Sequence, residues 1–294
     1  MVTIKVRTIN KNRYYYLEHS VRKAKKVEKF EKYLGKMIPK NIERIKRDFL
    51  YEIYKKRWFG LFNKIKSNFA EEQKTLPKSA KEKELEQFSI RFTYDTQRIE
   101  GSKLTLRETY DLLENGITPN NRRIQDIKEA EAHQKVFYEM LEYSRNLNLQ
   151  IILYWHMKLF EATKPDIAGK IRTHQVIISR SKFVPPSPVE IYPLIKAFFK
   201  WYNKSKGRSN PVELAALVHL KFVTIHPFGD GNGRISRLMM NFILNKYHFP
   251  VFNIKYEKRS GYYNALERTQ IKKQDSIFLQ WFFKRYYKEY KRYN

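Results

Sequence analysis

The chain has 294 residues, of which 42% are apolar and 15% aromatic, enough to bury a substantial core and too apolar for a largely disordered chain. It contains no cysteine, which excludes disulfides, a thiol nucleophile and cysteine-ligated metal sites. The 59 Lys and Arg against 30 Asp and Glu give a net charge of +29, which favours polyanionic partners such as nucleic acid, acidic proteins and nucleotide phosphates. These basic residues are spread along the whole chain, so the lysine-rich surface of an AT-rich or heat-adapted organism explains them equally well.

The N-terminal region predicts a small β-structure. Residues 2–35 alternate between apolar and polar positions with turn-forming residues between them, which is typical of an antiparallel meander. We therefore expect residues 1–37 to form an appendage. There is no signal-peptide pattern and no run approaching about 18 apolar residues, so we expect a soluble, cytoplasmic protein without membrane contact.

From Pro39 onward the apolar residues follow the helical period, which predicts a mainly α fold class. A helix predicted from 211 to about 225 is apolar nearly all round, which places it at the centre of a bundle. Helix starts are marked by three capping boxes, Ser79 with Glu82, Thr105 with Glu108 and Ser187 with Glu190. Between them, residues 170–186 alternate in a strand-like way and predict a β-hairpin with an exposed edge.

A glycine-rich loop follows the central helix, with the sequence His226-Pro-Phe-Gly-Asp-Gly-Asn-Gly-Arg-Ile-Ser-Arg237. Glycines before a helix N-terminus leave backbone N–H groups open to an anion, and Arg234 and Arg237 lie on one face of the next turn, where they reach further phosphate oxygens. Asp230 offers an oxygen ligand for Mg²⁺, and His226 has a side chain that takes a proton from a hydroxyl near neutral pH. The combination suits transfer of a phosphate-bearing group to a hydroxyl.

This loop resembles the defining motif of the Fic family at every position. The resemblance implies a helical Fic core over residues 105–294, preceded by a helical region over residues 38–104. It also implies an ATP- and Mg²⁺-dependent enzyme that transfers AMP to a Tyr, Thr or Ser hydroxyl of a protein.

The resemblance assigns a role to each loop residue. It makes His226 the catalytic base and Asp230 the Mg²⁺ ligand. It places the phosphates of ATP on Gly231, Asn232, Gly233, Arg234 and Arg237, with Arg234 on the β-phosphate and Arg237 on the γ-phosphate. Phe228 resembles the residue that anchors the loop in the core.

Two further segments extend the resemblance. The predicted hairpin is similar to the family's flap, on which the unknown protein target docks along residues 170–186. Downstream, Arg259-Ser-Gly-Tyr-Tyr-Asn-Ala-Leu266 is similar to the region that closes on adenine. These segments imply that the base lies among Ile178, Tyr263, Leu266 and Gln270; the glutamine stands where the family has Asn, which leaves the preference for adenine open.

An inhibitory element is the last implied feature. The sequence from Thr96 to Glu100 and Gly101 resembles the motif on an inhibitory helix of one Fic class, and apolar spacing predicts that helix over about 79–100. In that class the glutamate pairs with the second arginine of the loop motif, here Arg237. We therefore expect low resting activity.

Three alternatives stay open. In some inhibited relatives the same glutamate directs a water that removes AMP, so de-AMPylation is one alternative. A basic, nucleic-acid-associated regulator that uses the core as a nucleotide sensor is the second, since the net charge is +29. Transfer of another group, such as phosphate or phosphocholine, is the third, although relatives of that kind usually have an altered loop.

Overall fold

The computed structural model describes residues 2–23, 26–179 and 181–294. Contacts between Cα atoms divide the chain into two compact units, residues 1–63 and 64–294. The division falls inside the first helix, α1 (Ile42–Thr75). No helix of the described part combines the length and apolar character needed to cross a bilayer.

The first unit contains the predicted antiparallel meander, formed by β1 (Thr3–Ile9), β2 (Asn12–Lys23) and β3 (Lys26–Gly35) in that order. Leu17 on the central strand is fully buried and packs with Phe49 and Ile53 of α1. This apolar contact joins the meander to the first part of α1 within the unit, and the predicted bounds of the appendage, residues 1–37, stay a prediction.

The other face of the sheet carries ion pairs between strands. Lys5 lies 2.8 Å from Glu18 on the neighbouring strand, and Arg7 lies 2.5 Å from Glu31. Cross-strand pairs of opposite charge stabilise a sheet modestly, so part of the basic charge is used within the meander. Contact between this surface and nucleic acid stays a prediction.

The second unit is a helical bundle, as the fold class predicts. Its helices after α1 are α2 (Lys78–Ile99), α3 (Leu106–Asn115), α4 (Ile124–Glu142), α5 (Leu149–Phe160), α6 (Pro188–Ser205), α7 (Pro211–Ile225), α8 (Asn232–Lys246), α9 (Arg259–Lys272) and α10 (Asp275–Glu289). Helix α7 is the predicted central helix; it packs against α8, with α6 and α10 beside it. Helix α8 also contacts α2, α4 and α5, so the loop between α7 and α8 lies where several helices meet.

The helix starts agree with the capping boxes in two of three cases. The Thr105 box is formed at the start of α3, and at the start of α6 the Ser187 hydroxyl and N–H both donate to Glu190. The Ser79 box is wrong, because α2 begins at Lys78 after Pro77, whose carbonyl accepts the N–H of Lys81 at 3.2 Å. Ser79 therefore lies within the first turn and caps nothing.

The segment 170–186 follows a hairpin-like path without a strand ladder. The Arg172 guanidinium donates to the carbonyl of Pro186 at 2.6 Å, and Gln175 donates to the carbonyl of Pro185 at 3.1 Å. The described residues of this segment form no β-strand. The consecutive prolines Pro185 and Pro186 have no N–H to donate to a strand ladder. The side chains of Arg172 and Gln175 connect the two arms of the segment in place of backbone hydrogen bonds. Arg180, near its tip, lies outside the described residues.

Candidate active site

Two residues with left-handed backbone geometry shape the loop. His226, the residue after α7, has φ 54°, and Gly231, the residue before α8, has φ 79°. A methyl group on Gly231 would lie 2.4 Å from a ring carbon of Phe160. Only glycine fits this position, because the backbone angle and the close approach both exclude a side chain.

The loop residue Phe228 is fully buried, and its role as an anchor stays a prediction. Its ring stacks on His156 of α5, with centroids 3.8 Å apart. The His156 Nδ1 accepts the N–H of Gly169 at 3.0 Å, so its Nε2 donates to the carbonyl of Asp230, also at 3.0 Å. Burial lowers the pKa of His156 to about 4, so the ring is neutral at pH 7. His156 thus holds the loop from below, a role that its sequence position gives no reason to expect.

Asn232 holds the loop from within. Its Oδ1 accepts the N–H of Phe228 and its Nδ2 donates to the Phe228 carbonyl, each at 2.9 Å. The side chain is 2% exposed, and both ends of its amide are used on the backbone. In this structure Asn232 positions the turn, and direct contact between its side chain and a phosphate stays a prediction.

Above the loop is a cavity of about 740 Å³, within the range of small-molecule sites. Its walls come from the loop, the end of α2, the segment 170–186 and α9. The predicted site residues that line it are Glu100, Ile178, His226, Asp230, Gly231, Asn232, Gly233, Arg237, Tyr263, Leu266 and Gln270. Three other predicted residues, Thr96, Phe228 and Arg234, are buried and do not line it.

The imidazole of His226 is held in one tautomer. Its Nδ1 lies 3.2 Å from the carbonyl of Val223 and donates to it, which leaves the lone pair on Nε2. Burial lowers the pKa of His226 below the usual value, and nearby Arg172 lowers it further. The hydrogen bond to Val223 and the carboxylates of Glu100 and Asp230 partly oppose this shift. The ring is therefore a neutral proton acceptor at pH 7.

Asp230 lies between two cations. Its Oδ2 is 2.5 Å from the Lys164 ammonium, and its Oδ1 is 3.1 Å from the Arg234 guanidinium. Burial opposes ionisation, but these two cations and the N–H of Gly231 lower its pKa to about 2. Asp230 is thus a carboxylate at all ordinary pH values.

The donor set around Asp230 fits Mg²⁺ that is shared with phosphates. Within the described residues, no cluster of three or more His, Asp or Glu side chains is available to hold a metal. Asp230 is accordingly a single protein carboxylate on a cavity wall, with its side chain 37% exposed. Mg²⁺ is commonly held by one carboxylate together with water and substrate phosphates, and this donor set suits that arrangement.

Arg234 lies behind the loop. Its side chain is 3% exposed and forms an ion pair with Glu129 of α4. The guanidinium carbon also lies 4.5 Å from the ring centroid of Phe160. With Asp230 at 3.1 Å, these contacts make Arg234 a support for the loop, and its predicted contact with the β-phosphate stays a prediction.

Arg237 is buried, and the predicted inhibitory residues lie around it. Its Nη2 is 2.6 Å from Glu100 Oε1, and its Nε donates to the Thr96 hydroxyl at 3.3 Å. The same Glu100 oxygen would lie 2.3 Å from a methyl group on Gly233, so the carboxylate rests directly on the start of α8. Glu100 thus occupies the place where an anion would meet both Arg237 and the helix N-terminus.

The residues predicted to surround the base make contacts of their own. The Tyr263 hydroxyl donates to the carbonyl of Ile99 at 2.8 Å, next to Glu100. Gln270 donates to the Thr224 hydroxyl at 3.2 Å, and Leu266 is 8% exposed. They share the cavity wall with Ile178, but which base they accept stays a prediction.

Arg172 joins the segment 170–186 to the loop. Its Nε donates to the carbonyl of His226 at 2.9 Å and its Nη1 to the carbonyl of His174 at 2.7 Å. With the bond to Pro186 described above, this buried guanidinium fixes the base of the hairpin against the end of α7. Near the tip, the N–H of Lys182 donates to Glu267 of α9 at 2.9 Å. The sequence gives no signal for the bonds of Arg172 to His226 and of Lys182 to Glu267, because they join segments far apart in the chain.

Comparisons with known proteins agree with this geometry. Residues 146–244 match the model of the Fic/DOC family. Protein adenylyltransferase Fic from Nematostella vectensis is 34% identical over 181 residues, which are 60% of this chain and 42% of that protein. Protein adenylyltransferase fic-1 from Caenorhabditis elegans is 33% identical over 186 residues, which are 61% of this chain and 36% of that protein. The chain spans less than half the length of these curated relatives.

Two solved structures share the fold. The structure of a Fic domain containing signaling protein from Bacteroides thetaiotaomicron aligns with a TM-score of 0.71 and 27% identity, over 79% of this chain and 94% of that one. Fic-1 from Caenorhabditis elegans aligns with a TM-score of 0.73 and 26% identity, over 87% of this chain and 77% of the solved one. The matched segment includes α7, the glycine-rich loop and most of α8. Residues 146–244 are thus similar to the Fic/DOC family, as the loop motif predicts.

Proposed function

We propose that this chain is a protein adenylyltransferase, which moves AMP from ATP to a Tyr, Thr or Ser hydroxyl of another protein. One observation carries the proposal: a neutral imidazole, a carboxylate, a helix N-terminus and a buried arginine share one cavity, on His226, Asp230, Gly233 and Arg237. The relatives at 33–34% identity are named protein adenylyltransferases, which supports the same activity here.

The proposed reaction is a single displacement at the α-phosphorus of ATP. The lone pair on Nε2 of His226 accepts the hydroxyl proton as the oxygen attacks, and the bond from the α-phosphorus to the bridging oxygen breaks to release pyrophosphate. Backbone N–H groups at the start of α8 neutralise charge on the phosphate. Catalysis then consists mainly of orientation and charge stabilisation.

Asp230 would hold Mg²⁺ against the phosphates. When bound, the ion neutralises phosphate charge and orients the leaving pyrophosphate. The carboxylate is suited to this, because it is ionised at all ordinary pH values and lies on the cavity wall beside the start of α8.

We propose that the protein target docks on residues 170–186. Ile177 is 88% exposed and Val184 is 72% exposed, so two apolar side chains of this segment face solvent. The described backbone of the segment is not paired in a sheet, which leaves N–H and C=O groups for an extended peptide. Arg172 fixes the base of the segment beside His226, so a docked peptide would present its hydroxyl near the imidazole.

We further propose that Glu100 keeps resting activity low. Arg237 is 1% exposed, and its charge is balanced by Glu100 at 2.6 Å. A γ-phosphate would need the same guanidinium. As long as Glu100 holds it, ATP would bind without its terminal phosphate in place, and the α-phosphorus would not be aligned with His226.

Removal of AMP by the same site is the second candidate function. It is favoured by the position of Glu100, whose carboxylate lines the cavity and raises the pKa of His226. A carboxylate at this place can direct a water toward a bound phosphodiester. Wild-type protein mixed with an AMP-modified target distinguishes the two candidates, because only de-AMPylation releases free AMP.

The test of transfer replaces His226 with Asn, which removes the proton acceptor but tolerates φ 54°. The matched control is His248→Asn, because His248 is exposed and also has positive φ, at 60°. With α-labelled ATP and a cell extract, we expect His226→Asn to abolish protein labelling while nucleotide binding persists, and His248→Asn to leave labelling unchanged. Labelling that survives His226→Asn would contradict the proposed role.

A further inference from the structure

A lysine forms an ion pair with Asp230, the carboxylate that the proposed function assigns to the metal. Lys164 lies between α5 and the segment 170–186, and its Nζ is 2.5 Å from Asp230 Oδ2. Its second acidic partner is Glu129, with Oε1 at 3.4 Å. The ammonium thus lies between the loop carboxylate and a buried glutamate.

The two cations on Asp230 differ in freedom. Arg234 is 3% exposed, paired with Glu129 and packed over Phe160, so it is fixed in the core. Lys164 is 28% exposed and has a long, flexible side chain, so it can leave Asp230 without a change of backbone. Only one of the two oxygens of Asp230 is therefore held by a group that can move away.

We propose that Lys164 is a tethered competitor for the metal at Asp230. This inference rests on the proposed function, because it requires Asp230 to be the ligand. Mg²⁺ binds a carboxylate oxygen at about 2.0–2.1 Å, and an ammonium at hydrogen-bond distance from Oδ2 excludes the ion from that side. Metal entry therefore requires Lys164 to swing out, and the metal without nucleotide binds weakly.

Lys164 has a role both before and after the metal binds. Without metal it balances the charge of Asp230, which is partly buried and beside the buried carboxylate of Glu129. With metal bound, Glu129 at 3.4 Å remains as the partner that keeps the ammonium nearby. Lys164 thereby stabilises the loop when no metal is bound. It also makes metal binding depend on the arrival of phosphates, which supply the additional ligands.

The test measures Mn²⁺ binding by electron paramagnetic resonance of the free ion, with the full chain and no nucleotide. We expect Lys164→Met to bind Mn²⁺ roughly threefold to tenfold more tightly than wild type, since the competing ion pair is partly exposed and of modest strength. Lys164→Arg keeps the charge and should behave like wild type. The matched control is Lys158→Met, which loses the same charge from a lysine of similar exposure that pairs with Glu161.

The variant Asp230→Asn distinguishes failure of the competitor role of Lys164 from failure of Asp230 as the metal ligand. If Lys164→Met binds Mn²⁺ no more tightly than wild type while Asp230→Asn abolishes binding, the competitor role is wrong and the proposed metal ligand stands. If Asp230→Asn leaves Mn²⁺ binding unchanged, the metal ligand of the proposed function is wrong, and the competitor role fails with it. An equal gain in Lys158→Met would also overturn the inference, because the effect would then be general electrostatics.

Discussion

The carboxylate of Glu100 lies 2.6 Å from the guanidinium of Arg237, which is almost completely buried. When Glu100 leaves, the buried Arg237 loses its counter-charge, so the exchange is favoured when another anion takes the place of the carboxylate. The γ-phosphate of ATP is such an anion. Glu100 and the nucleotide therefore compete for one guanidinium.

Replacing Glu100 with Gly is expected to raise AMP incorporation at least tenfold, because Arg237 then becomes available to the γ-phosphate. The measurement is protein labelling from α-labelled ATP at fixed enzyme concentration. Glu114→Gly is the matched control, since Glu114 lies near the end of α3 in a surface ion pair with Lys83. Equal labelling by wild type and Glu100→Gly would contradict the inhibitory role.

Tyr263→Phe is expected to raise transfer by up to about fivefold. The change removes the hydroxyl that donates to Ile99 at 2.8 Å but keeps the ring, so the end of α2 that carries Glu100 loses about 1 kcal/mol of support. The effect should vanish in the Glu100→Gly background, where there is no carboxylate left to hold. An additional increase in that background would show that Tyr263 acts elsewhere.

The pH dependence follows from the lowered pKa of His226. Because burial, and to a lesser extent Arg172, lowers that pKa from the usual value of a histidine, the imidazole is neutral at pH 7 and above, and kcat/KM should be nearly constant there and fall only at more acidic pH than for an ordinary histidine. Glu100 raises this pKa, so Glu100→Gly should move the acidic limb to still lower pH. A limb with its midpoint at pH 7 or above would argue against His226 as the base.

Gly231→Ala and Gly229→Ala form a matched pair for the backbone of the loop. A methyl group on Gly231 meets the Phe160 ring at 2.4 Å with φ 79°, whereas one on Gly229 meets nothing closer than 3.6 Å. We expect Gly231→Ala to lower the free energy of unfolding by about 2–4 kcal/mol and Gly229→Ala by less than about 1 kcal/mol. Urea denaturation of both variants measures this, and equal losses would contradict the geometry.

The site could be predicted where its residues follow one another along the chain. From His226 to Arg237, the spacing itself brings an imidazole, a glycine turn and a helix start together, and the structure keeps that order. Glu100 could be predicted only from a resemblance, because it reaches Arg237 through the packing of α2 on α8.

The supporting contacts could not be predicted from the sequence. Lys164 reaches Asp230 across 66 positions of sequence, and Arg234 turns toward Glu129 across 105. Such pairs depend on how the helices pack, which no local pattern encodes. The absence of strand hydrogen bonds within the described part of residues 170–186 has a local cause, the prolines Pro185 and Pro186. The alternation of apolar residues nevertheless predicts a hairpin there.

AMP transfer by His226 under inhibition by Glu100 is tested most directly by comparing labelling from α-labelled ATP by Glu100→Gly alone and by Glu100→Gly combined with His226→Asn. We expect strong labelling of protein by the single variant and none by the double variant, with both variants folded and both binding ATP. An unlabelled single variant, or equal labelling by the two, would contradict it.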